Sequence, residues 1–103
     1  MEVLKKGTVE PLLLALRDRL ENIASLASVA DLRFSVSDKE DDSEVQPDTT
    51  VTVDVDFPMT AICQVDTTLV GYVANHEYKL YLKFTEGTSA VKKGPFYFRV
   101  EDD

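Results

Sequence analysis

The side chains best suited to covalent chemistry are scarce in this sequence. There is one cysteine, Cys63, and one histidine, His76. A nucleophilic Cys–His pair needs both in one pocket, with a third group orienting the imidazole. Cys63 lies between Ile62 and Gln64 in a strand-like run, where a free thiol behaves as a small buried hydrophobe. His76 lies in Ala74-Asn75-His76-Glu77, the polar turn before a strand. The two are expected to stay apart, and no catalytic residue is assigned. One residue of each soft ligand type also falls short of the three or four ligands of a zinc site.

Carboxylates are plentiful. Asp38, Glu40, Asp42 and Glu44 alternate, with Asp41 among them, as the ligands of a calcium loop can. An EF-hand loop further requires glycine at its sixth position and glutamate at its twelfth. Counted from Asp38, those positions hold Ser43 and Thr49, so the pattern fails. The segment Asp38–Asp48 reads instead as a solvated acidic loop outside the core. Asp54 and Asp56 share a strand face with nothing catalytic beside them, and charges placed there block unwanted strand pairing. Gly7, Gly71, Gly87 and Gly94 are too dispersed for a phosphate loop. The expectation is a binding or assembly protein with no metal, no cofactor and no enzymatic activity. Its candidate contact residues are Tyr81, Tyr97 and Arg99, placed outward on strands, and the acidic group Asp38, Glu40, Asp41, Asp42 and Glu44. Tyrosine and arginine are enriched at protein–protein interfaces.

Strands must position these residues. Thr50–Phe57 alternates, with Val51, Val53, Val55 and Phe57 on one face. A period of two rich in β-branched residues predicts a half-buried strand, which Pro58 ends. Thr60–Asp66 follows, either as a hairpin partner or as the same strand bent at a bulge. Glu77–Thr85 turns Tyr78, Leu80, Leu82 and Phe84 inward, and Pro95–Glu101 does so with Phe96, Phe98 and Val100. Asp31–Ser37 turns in Leu32, Phe34 and Val36. Glu86–Gly94 reads as a long polar connection. The first thirty residues admit two readings. Leu12, Leu16, Leu20, Ile23 and Ala27 recur at helical spacing, which predicts a helix from about residue 10 to residue 27, with Thr8 as an N-cap and Pro11 in the first turn. The rival is a strand over Val9–Arg17, a turn at Asp18–Asn22 and a tight turn at Ser25–Ala30. Short alternating strands between polar turns predict an all-β fold of two packed antiparallel sheets, with a short helix near residues 18–27 left open.

The 103 residues make one domain, 1–103, and 44% hydrophobic content is enough for a core. A single cysteine allows no intrachain disulfide. No apolar run approaches the roughly 20 residues of a membrane helix, and Met1–Gly7 does not read as the start of a signal peptide. A net charge of −8 opposes binding to nucleic acid or to an anionic membrane surface.

The motifs also carry a resemblance in their order. Lys6-Gly7-Thr8 precedes Leu12–Leu16 with Arg17-Asp18, then Leu26 and Leu32-Arg33-Phe34-Ser35-Val36. Val65-Asp66-Thr67-Thr68, Tyr78-Lys79-Leu80-Tyr81-Leu82-Lys83-Phe84 and Gly94-Pro95-Phe96-Tyr97-Phe98-Arg99-Val100 follow. This layout resembles small structural proteins of tailed bacteriophages. It is similar to the immunoglobulin-like β-sandwich at the start of phage baseplate upper proteins, and to head-to-tail connector, or neck, proteins of actinobacterial phages. The resemblance implies an immunoglobulin-like β-sandwich that repeats in a ring between capsid and tail, in a virion assembled in the host cytoplasm. Its partners would be copies of itself and other neck or tail proteins, with DNA passing through a stopper-like channel and not held by a basic patch. Relatives show glycine or proline after Asp18, where this chain has Arg19-Leu20-Glu21-Asn22, so the helical alternative stays open. Competing expectations are a baseplate or tail-tip subunit of the same fold, and a carbohydrate- or ligand-binding sandwich, which the lack of tryptophan disfavours. A small hydrolase is opposed by the sparse catalytic inventory.

Overall fold

A computed structural model describes residues 2–16 and 26–102. The elements are β1 (Glu2–Lys5), β2 (Val9–Ala15), a 3₁₀ turn (Leu26–Ser28), β3 (Ala30–Asp38), β4 (Glu44–Thr50), β5 (Thr52–Val53), β6 (Thr60–Asp66), β7 (His76–Glu86) and β8 (Ser89–Glu101). They form two sheets, β1-β8-β7-β3-β4 and β2-β6-β5. Lettered in the immunoglobulin manner, these are A-G-F-C-C′ and B-E-D, the strand order of a variable-type sandwich whose first strand joins G. That first pair, β1 with β8, is parallel, so the expected purely antiparallel arrangement holds only for the other pairs.

The alternation of β7 is realised as expected: Tyr78, Leu80, Leu82 and Phe84 are buried, while Lys79, Tyr81 and Lys83 lie on the outer face. Phe34, Val36, Phe98 and Val100 join them from the same sheet. Leu12, Leu14, Ala61, Cys63 and Val65 meet them from the smaller sheet.

The helical reading of residues 10–27 is overturned where it can be checked. Leu12 and Leu14 are buried and Leu13 is 60% exposed, a period of two. The whole of β2 pairs with β6 without a register shift. The Leu16 N–H donates to the Met59 carbonyl at 2.9 Å, so even-numbered residues of β2 turn their backbone groups toward β6. Pro11 therefore faces the free edge, where its missing N–H costs no ladder bond. Thr8 caps no helix: its N–H donates to Thr67 Oγ1 at 3.0 Å. The turn expected at Asp18–Asn22, and most of the short helix near 18–27, lie outside the described residues. Leu26–Ser28 form the 3₁₀ turn.

Three further expectations are corrected. Asp38–Asp48 is a β-hairpin and not a long loop: β3 runs through Asp38, the Asp38 N–H bonds to the Ser43 carbonyl at 2.9 Å, and β4 begins at Glu44. The single strand expected over Thr50–Phe57 breaks up. Thr50 ends β4, β5 spans Thr52–Val53, and the Asp54 carboxylate then accepts the N–H groups of Asp56 and Phe57, coiling the chain into a turn. Val51 is buried, but Val55 is 95% and Phe57 66% exposed. Finally, Glu86–Gly94 is no connection: β7 passes into β8 through Gly87-Thr88 alone, with Gly87 at φ 60°, the first-position conformation a type II′ hairpin reserves for glycine. Gly94 sits at a bulge in β8, where a Cβ would come within 2.8 Å of the Leu80 carbonyl.

Two polar knots join the sheets. Gln46 of β4 is buried; its Nε2 donates to the Gln64 carbonyl (3.2 Å), and its Oε1 accepts the Asp66 N–H (3.1 Å) and the Tyr72 hydroxyl (2.8 Å). Beside it, Tyr78 at the start of β7 accepts the Val73 N–H at 2.6 Å, a tyrosine corner of the kind found in immunoglobulin folds. Tyr72, Tyr78 and Phe98 pack with ring centroids 5.0–6.4 Å apart. At the crossover from β1 to β2, the buried Thr67 hydroxyl lies 2.8 Å from the carbonyls of both Lys5 and Thr8, and Lys6 Nζ donates to the Thr67 carbonyl at 2.7 Å.

Replacing Gln46 with leucine strips partners from a buried N–H, a carbonyl and a hydroxyl at once. Urea unfolding of Gln46→Leu is expected to show a loss of about 2–4 kcal/mol. A loss below about 0.5 kcal/mol, the scale of a neutral surface change, would mean the amide does not hold the sheets together.

Candidate functional site

The sequence-derived contact residues fall into two groups. The hairpin tip between β3 and β4 packs beside the start of β7 and the end of β8, where Asp38, Lys39, Glu40, Asn75, His76, Glu77 and Arg99 line a cleft of about 500 Å³. Asp38 Oδ1 accepts the Glu40 N–H at 2.8 Å, and Asp38 Oδ2 lies 3.9 Å from His76 Nδ1. Asp41 accepts both the N–H and hydroxyl of Ser43, which hold its carboxyl below the usual range. Asp42 pairs with Lys79 across the sheet. Glu40 and Glu44 are exposed on the tip. Tyr97 is 47% exposed, with Lys39 Nζ 5.4 Å from its ring centre, and Arg99 pairs with Glu101 at 3.0 Å. Tyr81 lies apart from this cleft, half-buried beneath Lys92 Nζ at 4.0 Å from the ring centre.

The charges of the cleft largely satisfy one another. Lys39 and Glu77 are 2.6 Å apart; their hydrogen bond raises the lysine and lowers the glutamate, fixing both in the charged form. Such a pair has no proton poised for exchange near neutrality. Cys63 is buried in the core and His76 is exposed at the head of β7, so the structure does not bring them together. Burial pushes the Cys63 thiol up to about 12. No group of three His, Cys, Asp or Glu side chains is arranged to hold a metal among the described residues.

None of the expected contact residues lies on the outer face of the smaller sheet. Val9, Pro11, Leu13 and Ala15 alternate outward along β2, and Ile62 stands opposite Leu13 on β6. Val9 is 56% exposed. Since Leu12 and Leu14 fill the inner face, β2 is apolar on both sides. An antiparallel sheet with one solvated face commonly alternates apolar-in and polar-out, and β2 departs from that pattern. The unbroken apolar run Pro11–Ala15 was the available signal, and it doubles as the spacing of a helix. Val55 and Phe57 stand exposed in the β5–β6 loop, and Val70 and Val73 in the loop before β7.

Comparisons with family models, with curated proteins and with solved structures return no match.

Two measurements probe this description. Cys63 should resist a thiol reagent at about pH 8 in the native state, with the thiol near its ordinary value of about 8.5 only once unfolded; labelling at the rate of a free thiol would place it outside the core. Asp48 accepts hydrogen bonds from Lys83 (2.8 Å) and Arg33 (2.9 Å), which hold its carboxyl below the usual range. A lowered folded-state value stabilises above the unfolded value and fades as pH falls through the folded one. Wild type should therefore melt above Asp48→Asn at pH 7, and the gap should narrow at a pH below the ordinary aspartate value of about 3.9. An equal gap at both pH values would contradict the ion pairing.

Proposed function

We propose that this chain is a virion structural protein of a tailed bacteriophage, a stopper-like component of the head-to-tail interface that assembles as a ring by protein–protein contacts. The observation that carries the assembly half of this reading is β2, a strand apolar on both faces with only one of them buried within the chain. A side-chain row such as Val9, Pro11, Leu13 and Ala15 is a liability on a lone domain and an asset in an assembled one. The phage half rests on the ordered motifs. Their residues fall on the framework of the fold: Lys6-Gly7-Thr8 and Thr67 at the crossover knot, Leu32–Val36 in β3, Tyr78–Phe84 in β7, and Gly94–Val100 in β8.

In the ring, neighbouring copies and adjacent neck or tail rings are the partners. The acidic hairpin tip, with Glu40, Asp41 and Glu44, is suited to a channel wall that repels passing DNA phosphates and does not retain them. Because Asp42 is tied to Lys79 and the turn is closed by backbone bonds, this tip acts as a short fixed projection.

The test is the composition of the particle. Virions purified from cells that encode this chain should contain it in stoichiometric amount, and antibodies against it should label the junction of head and tail. Its absence from purified particles would overturn the reading, and labelling at the tail tip would move it to the baseplate.

A further inference from the structure

The edge strands of an open sheet offer unpaired N–H and C=O groups to any extended chain. Here the edges are β1 and β4 of the larger sheet and β2 and β5 of the smaller. Two are too short to template much pairing: β1 spans four residues and β5 two. The long ones are β2 and β4, of seven residues each. β4 carries Glu44 and Asp48, and its register against β3 shifts on either side of Val36. Pro47 stands within one of those irregular stretches. Charges, bulges and proline all spoil an edge for pairing. β2 has far less of this protection. Its register against β6 is unbroken, so no bulge interrupts it, and its sole charged residue is Glu10. Leu12, Leu13 and Leu14 follow one another at its centre. A segment of high apolarity and low charge on an open edge is one that recruits a further strand.

What β2 has is Pro11. Even-numbered residues of β2 turn their backbone groups to β6, and among the described residues no strand pairs with its other side. The open edge therefore belongs to Val9, Pro11, Leu13 and Ala15. At Pro11 the N–H is missing and the ring projects in its place. An added strand would meet that ring where it needs a donor. A proline at position 10, 12 or 14 would have cost a bond to β6 and left the open edge intact. Two of the chain's four prolines thus stand in its two long edge strands, and Pro11 does so in the register that faces outward. We infer that Pro11 closes the β2 edge, so that neither a second copy nor a partner's strand extends the smaller sheet by backbone pairing. Contact at this sheet is left to the side chains of its outer face. The inference stands on the fold and goes beyond the proposed role without depending on it.

Two variants of the full chain test this. Pro11→Val restores the N–H and keeps the outer row apolar. Pro11→Thr restores the same N–H but makes the row more polar. Circular dichroism with thermal unfolding checks that both are folded. In sedimentation velocity, both should self-associate at least about tenfold more tightly than wild type, the scale of restored backbone pairing. Hydrogen exchange followed by NMR locates the contact. In wild type the amides of Leu13 and Ala15 should exchange fast at every concentration, while those of Leu12 and Leu14, turned to β6, stay protected. In the variants, Leu13 and Ala15 should slow toward the Leu12 and Leu14 rates as concentration rises. Variants that associate no more than wild type would overturn the inference. So would association of Pro11→Val alone, which would trace the gain to apolar surface and not to the N–H. Wild-type Leu13 and Ala15 amides that slow to the Leu12 and Leu14 rates with concentration would overturn it too, and that measurement needs no variant to fold. None of these outcomes bears on whether virions contain the chain, so this inference and the proposed function fail separately.

Discussion

A buried amide must find partners for its oxygen and its nitrogen, and Gln46 finds them only if the two sheets sit in one relative position. Its donors and acceptors come from the backbone of β6 and from Tyr72, while Gln46 itself belongs to β4 of the other sheet. Apolar burial drives the sheets together, but it is tolerant of small slides. An unsatisfied amide is not. The Gln46 network, with the Tyr78 corner beside it, therefore fixes how the two inner faces meet. Strand alternation then leaves the apolar row of β2 on one outer face, and Arg33 and Lys83 on the other.

Folding also separates the one thiol from the one imidazole. The one thiol is spent on packing, and burial raises it far from reactivity. The histidine sits at a sheet end among carboxylates and cations already paired with one another. The apolar outer face of β2 is the feature that packing leaves uncovered.

Much of the larger sheet was legible in the sequence. Strict alternation in β7 and the aromatic–aliphatic alternation at the end of β8 translate directly into buried and exposed residues, because a strand's side chains have a period of two. Where the chain departed from that rule, the cause was local. Asp54 diverts its own strand by accepting two backbone N–H groups, so Val55 and Phe57 end outside despite their alternating positions. Gly87 allows a two-residue turn inside what composition presents as a polar loop. Pro47 and the acidic residues near Asp38 disguised a hairpin whose edge strand tolerates both. The β2 segment is the deepest ambiguity, because a continuous apolar run has no period to read. Tyr81, Tyr97 and Arg99 lie on the outer face as alternation predicts, but the Asp48 ion pairs needed the strand order: Arg33, Asp48 and Lys83 are apart in sequence and become neighbours only through cross-strand register.

The central claim is that the outer face of the smaller sheet is an assembly surface. Methyl NMR with a soluble paramagnetic agent, recorded at rising protein concentration and low salt, examines that face directly. The account predicts that the methyl groups of Val9, Leu13 and Ile62 are broadened by the agent in dilute solution and become protected as concentration rises. Equal broadening of these methyl groups at every concentration would contradict it.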